Sequence, residues 1–272
     1  MKIDIETVRY YSGLGDLVML AWLAEGSKTG SDPLVFHRKR DPGLTELLGM
    51  QTDLEPGGVS MDAAFDIEVV DHGRKPRLDY IRQFLGIKTP LVRPALRISP
   101  EDEAWARQTA AELDGPPVIL FPQCVWKPRE WPASHWVDLA WKLKGGGIPV
   151  LLMYQGDDTR FRNTPLYHWN VPIPRIAALM KHASLVVGND SFPAHLAGTV
   201  GTPTIALMGP TKATVFAHMP GVECLASGRI DCTGCHFQAP FRAACDQGCQ
   251  SLFRLFPEEV FARIMVRLRT RR

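Results

Sequence analysis

No run in this chain of 272 residues is apolar for the length of a membrane span, so no transmembrane helix is expected within it. Charge of one sign is equally scarce. The 31 Lys and Arg against 29 Asp and Glu leave a formal net charge of +2, too small to call for a polyanionic partner. The start, Met1-Lys2-Ile3-Asp4-Ile5-Glu6, carries acids where a secretory leader has its apolar core, so a cytoplasmic location is expected. Internal repeats and low-complexity tracts are missing. What is present is an ordinary globular composition, 45% hydrophobic and 22% charged, with length for one large or two ordinary domains. Two local basic clusters stand out, His37-Arg38-Lys39-Arg40 and the tail residues Arg263, Arg267, Arg269, Arg271 and Arg272. Such runs are usually solvated faces or fraying ends, and nucleic acid is not the expected partner.

Apolar strand-like runs alternate with amphipathic helices, the pattern of parallel sheets with crossover helices. Strands are predicted over 5–11, 33–37, 65–70, 117–121 and 148–154. Helices are predicted over 16–26, 42–49, 76–86, 133–144, 174–182 and 257–269, and another is opened by Pro100-Glu101-Asp102-Glu103. Residues 87–100, with Pro90, Pro94 and Pro100 and few helix formers, read as a linker. The expected domains are therefore 1–95 and 96–272, the second interrupted by a cysteine-rich insertion at 224–249.

Three loops carry candidate chemistry. Residues 184–210 read as a buried strand, a polar turn with Asp190 and Ser191, a short helix with His195, and a second buried strand. A helix start offers unpaired N–H groups and a partial positive charge, which suits phosphate; the plain alternative is an N-cap. The loop Gly13-Leu14-Gly15-Asp16 lets backbone approach a ligand, but it lacks the third glycine of a dinucleotide fingerprint and the Lys-Ser/Thr of a P-loop. Asp16 is either a cap or first-turn residue of the following helix, or a carboxylate available as general base. The third loop, Phe121 to Pro132, places Lys127 and Arg129 after a strand's carboxyl end, where an anion would be met, with Trp131 and Trp136 as braces. Its plain alternative is two surface cations beside two core tryptophans.

Together these pieces resemble glycosyltransferase family 9, the heptosyltransferase-like enzymes. Gly13-Leu14-Gly15-Asp16 is similar to that family's Gly-x-Gly-Asp loop. Lys127, Trp131-Pro132 and Trp136 fit its Lys-x-x-x-Trp-Pro-x-x-x-Trp segment, and 187–210 resemble its Val-Gly-Asn-Asp-Ser/Thr-Gly-Pro-x-His-Leu-Ala signature with the Pro-Thr and Gly-Pro that follow. The resemblance implies an α/β fold of GT-B architecture, two Rossmann-like domains with parallel sheets facing a central cleft, the first on the acceptor side and the second binding the nucleotide sugar. It implies inverting transfer of a sugar, often heptose from ADP-heptose, to a hydroxyl on a glycan, lipid-linked glycan or protein, with no obligatory catalytic metal. By the match Asp16 is the general base. Gly15, Lys127, Asp190, Ser191, His195, Met208, Gly209 and Pro210 are donor-binding. Two departures stand out: Phe192 replaces the family's glycine, and the N-terminal domain is short. They motivate a rival reading as a binding or scaffold protein without catalysis; the basic clusters motivate another, a transferase acting on a nucleic-acid base.

Six cysteines in a chain expected to be cytoplasmic are not read as disulfides. Cys232-x-x-Cys235 and Cys245-x-x-x-Cys249 have the spacing of a closed thiolate site for structural zinc or iron; the alternative is reduced, unligated cysteines in a loop. Some relatives of the resembled family carry a comparable cluster that binds iron and supports assembly, so a homo-oligomer is a further expectation.

Overall fold

The computed structural model describes residues 1–6, 13–30, 33–38, 40–156, 158–161, 164, 171–229, 231–237 and 248–270. Cys245, Lys39, Arg271, Arg272, part of the expected first strand (7–11) and part of the cysteine-rich insertion lie outside them. The chain divides into two compact units, Met1–Ser99 with Thr214–Met219, and Pro100–Ala213 with Pro220–Arg272.

The first unit contains β1 (Lys2–Asp4), α1 (Leu14–Ser27), β2 (Val35–His37), α2 (Pro42–Leu47), β3 (Thr52–Asp53), β4 (Val59–Ser60), α3 (Asp62–Val70) and α4 (Arg77–Leu85). Its sheet is parallel throughout, in the order β3-β2-β1-β4. Leu17 to Ala24 of α1 are buried without a break, as befits a helix that is apolar all round. Ile3, Phe36, Leu44, Met61, Leu78 and Ile81 complete the core.

Two sequence expectations differ from the observed elements in this unit. The first strand among the described residues is Lys2–Asp4, paired with β2 and β4; Ile5 and Glu6 of the expected 5–11 lie just past it, and 7–11 are outside the described residues. The expected strand at 65–70 is helix α3. Asp62 in its first turn suits a helix N-terminus, and Met61, Ala64 and Glu68 are buried at helical spacing. Val70, which suggested β structure, is 79% exposed.

The second unit contains α5 (Pro100–Ala111), β5 (Val118–Phe121), α6 (Ala133–Gly145), β6 (Val150–Leu152), α7 (Ile173–Lys181), β7 (Leu185–Asn189), α8 (Phe192–Val200), β8 (Thr204–Leu207), β9 (Val222–Leu225), α9 (Gln250–Phe253) and α10 (Pro257–Arg269). The sheet order is β6-β5-β7-β8-β9, again all parallel. Every residue of β5, β6, β7 and β8 is buried, which is why these strands read as continuous apolar runs. Trp131, Trp136, Leu139 and Leu143 pack with Val260 and Ile264 on one face of this sheet. Helix α8 stops at Gly201, whose φ of +93° is a left-handed value that suits glycine. The short β3 and β4, and also β9 and α9, are elements the sequence reading does not contain.

Candidate active site

In the second sheet the chain passes from β5 outward to β6 and returns to β7 on the other side of β5. The loops leaving β5 and β7 therefore diverge, and such a switch point is where open α/β sheets accept ligands. Asn189, the last residue of β7, is fully buried and ties the two loops together. Its Oδ1 accepts the Trp131 N–H (3.0 Å), and its Nδ2 donates to the Pro122 carbonyl (2.9 Å). Trp131 in turn donates its indole N–H to the Leu255 carbonyl (2.8 Å) and meets Trp136 edge-on.

Asp190 follows, 2% exposed. Arg129 Nε lies 3.4 Å from its carboxylate, and Arg129 Nη1 donates to its backbone carbonyl (3.3 Å). His195 Nε2 stands 3.7 Å from the other carboxylate oxygen, close enough for charge attraction and too far for a hydrogen bond. Burial pushes the Asp190 carboxyl up, but the Arg129 guanidinium, then His195 and the Thr211 hydroxyl, outweigh it and hold it well below the usual carboxylate range. Ser191 occupies the N-cap position of α8, yet its side chain makes no capping bond. Its Oγ is buried with no partner among the described residues. Pro193 has no N–H, and the Ala194 amide is bonded back to the Ser191 carbonyl (3.1 Å). The donors this helix start can offer an anion are thus the Ser191 hydroxyl and the amides of Ser191 and Phe192.

The cation that reaches Asp190 is Arg129. Lys127 has a 71% exposed side chain, held by Glu130 at 3.1 Å. Glu130 also pairs with Arg160 (3.1 Å), and Arg160 with Asp158 (2.6 Å). Arg129 lies over the Trp126 ring (5.0 Å), and Trp126 meets the His236 ring edge-on (4.8 Å).

Through His236 the loop reaches the turn after β8. Met208 is buried, and the carbonyls of Gly209 and Pro210 accept the amides of Gly234 (2.9 Å) and His236 (2.7 Å). A Cβ on Gly209 would come within 3.0 Å of the Cys249 sulfur and 2.9 Å of Leu252, so this position admits only glycine without rearrangement. Cys249 is buried; burial and its neighbours Cys232 and Cys235 push its thiol up. Among the described residues no group of three or more His, Cys, Asp or Glu side chains is arranged to hold a metal ion. Cys245 is not among those residues.

In the first unit Gly13 is the N-cap of α1, and Gly15 and Asp16 lie in its first turn. Asp16 Oδ2 accepts the Gly13 N–H (3.2 Å), so the capping role read from the sequence is present, exercised from the third helical position. Its Oδ1 lies 3.4 Å from Arg77 Nη1, and Arg77 Nε is bound to the carboxylate of Glu68 (3.0 and 3.1 Å). Sequence reasoning passed over Asn189, Glu68 and Arg77. Arg77 did leave a signal, a cation in the first turn of a helix where the dipole disfavours it.

Two α/β units, each with a parallel sheet, and in the second a helix start at the switch point between β5 and β7, define a doubly wound class of protein. Residues 64–221 match glycosyltransferase family 9 (heptosyltransferase), and the chain belongs to that family of glycosyltransferases. It is 25% identical over 138 residues to lipopolysaccharide heptosyltransferase 2 of Escherichia coli K12, a match covering 45% of this chain and 40% of that enzyme. The chain spans less than half the length of the curated relatives it matches. In fold it resembles the E. coli ADP-heptose lipopolysaccharide heptosyltransferase II (TM-score 0.61, 13% identity, 99% of both chains). It also resembles the iron-containing dodecameric glycosyltransferase TibC of enterotoxigenic E. coli (TM-score 0.66, 16% identity, 100% of this chain and 76% of that one). No helix among the described residues is long and apolar enough to cross a membrane.

Proposed function

We propose that this protein moves a heptose from ADP-heptose, a nucleotide-diphosphate donor, to a hydroxyl of a glycan acceptor with inversion. The observation that supports it most is the start of α8, where a buried anionic Asp190 braced by Arg129 stands beside an unengaged Ser191 hydroxyl and two amides. These donors suit the diphosphate as it departs, because negative charge grows on its oxygens in the transition state. Arg129 and Lys127 supply the countercharge, His195 contacts the sugar or phosphate, and Met208-Gly209-Pro210 carries the nucleotide. Gly15 lets backbone come close to substrate. Asp16 takes the acceptor proton as the new C–O bond forms and the bond from the anomeric carbon to the phosphate oxygen breaks. The diphosphate leaves with that electron pair, and a carboxylate suffices as base because proton transfer accompanies bond formation.

Cys232, Cys235 and Cys249, with Cys245, are proposed as a structural thiolate site for zinc or iron that pins the insertion to the turn at Gly209. The iron-containing relative supports that reading, and its dodecameric state supports a homo-oligomer here.

The test of the reaction follows ADP release from ADP-heptose with heptose-deficient lipopolysaccharide as acceptor, and donor binding by calorimetry. Asp16→Ala is expected to lose transfer while binding ADP-heptose within about twofold of the parent. Parental turnover in Asp16→Ala removes Asp16 from the role of base, and absence of binding by any nucleotide sugar favours a scaffold protein over an enzyme.

A further inference from the structure

We infer that Arg77, clamped by Glu68, is a positioning residue that fixes the carboxylate of Asp16 for proton abstraction. The inference rests on the reading of Asp16 as base and adds two residues to it.

In the first sheet the order β3-β2-β1-β4 places a second switch point between β1 and β4. Helix α1, with Asp16 in its first turn, follows β1; α3 and α4, with Glu68 and Arg77, follow β4. The contact between Asp16 and Arg77 therefore joins the segments that leave the two sides of that switch point.

Arg77 is 8% exposed and Glu68 1%. A guanidinium in the first turn of α4 opposes the helix dipole, and a carboxylate as deeply buried as Glu68 is costly without a partner. The fold keeps both, joined by the shorter contacts of 3.0 and 3.1 Å. The longer arm, Nη1 at 3.4 Å, is directed to Asp16. With Oδ2 on the Gly13 amide and Oδ1 beside Arg77, both carboxylate oxygens are referenced to separate elements, and each oxygen retains a lone pair for the incoming hydroxyl. Orientation of this kind governs rate, since misplacement of a reacting group by about 1 Å can slow a reaction about 100-fold.

The test uses the full chain. Arg77→Lys keeps the positive charge beside Glu68 but loses the planar fork that spans two carboxylates. The pair Glu68→Gln with Arg77→Gln keeps the packing and removes both charges. Arg77→Lys is expected to melt near the parent temperature, bind ADP as the parent does, and release ADP from ADP-heptose about tenfold more slowly at unchanged donor KM. A crystal structure of the Gln pair is expected to show the Asp16 carboxylate turned to another rotamer. Full turnover in Arg77→Lys, or an unmoved Asp16 in the Gln pair, overturns the inference. So does failure of both variants to fold, which assigns the pair to stability alone. Asp16→Asn separates the two readings: an active Asp16→Asn overturns the base itself, and an inactive Asp16→Asn beside a fully active Arg77→Lys overturns only the positioning role.

Discussion

Arg129 and Lys127 stand two positions apart and experience different surroundings. Arg129 compensates a carboxylate that is almost wholly buried, whereas Lys127 reaches into solvent and pairs with Glu130. Removing one partner of a buried pair leaves an uncompensated charge, so Arg129→Ala is expected to lower the unfolding free energy by about 3–5 kcal/mol in urea titrations. Lys127→Ala should leave it within about 0.5 kcal/mol of the parent. For the donor the expectation differs: Lys127→Ala weakens ADP binding about tenfold if its ammonium leaves Glu130 for a phosphate, as a charged hydrogen bond of ordinary strength implies. Unchanged calorimetric affinity would identify it as a surface lysine. The sequence places both cations in the loop after β5. It cannot choose between them, because that choice depends on where the backbone after Trp126 turns relative to β7.

At the scale of elements, Asn189 carries the join between the β5 loop and β7. Asn189→Ala strands the Trp131 N–H and the Pro122 carbonyl in the interior, at a cost of about 2–4 kcal/mol in total. Chemical denaturation measures this, and a loss below about 1 kcal/mol would mean the loop is held by its tryptophans instead. Much of this unit is legible in the sequence. The fully buried strands announce themselves as apolar runs, and Pro257–Arg269 emerges as a helix with its bounds intact. The first unit is less legible because its strands are two or three residues long, too short for a period to register. Residues 65–70 mislead for another reason: three β-branched side chains outweigh the local helix signals, and the helical spacing shows only in the burial of Met61, Ala64 and Glu68. The turn at Asp190 was visible as a helix start; that Ser191 leaves its capping bond unmade was not, since capping geometry lies below the resolution of a pattern.

For the whole molecule, acid should act through carboxylates that folding makes more acidic. Asp190 lies well below its ordinary value of 3.8 once Arg129 and His195 overcome burial, and Asp158 is lowered to about 2, chiefly by Arg160. A group whose folded pKa is depressed stabilises the fold fully above its unfolded value and ceases to do so as pH falls through the folded one. Unfolding free energy is therefore expected to be level from neutrality down to about pH 5 and to fall from about pH 4 through pH 2. Urea midpoints at pH 7, 4, 3 and 2 check it, and Asp158→Asn should flatten part of the acid limb. Elemental analysis addresses the cysteine-rich insertion: about one zinc or iron per chain is expected, lost in Cys232→Ser. A metal-free native protein of unchanged melting temperature would remove the site.

The bond from the Gly13 amide to Asp16 has one more consequence. The oxygen that caps α1 belongs to the carboxylate proposed to collect a proton in each catalytic cycle. A carboxylic acid is a poorer acceptor than a carboxylate, so every proton that lands there loosens the first turn of its own helix until it departs. Fraying of α1 would then keep time with turnover, and deuterium uptake at Gly13 would run faster in an enzyme at work than in one at rest.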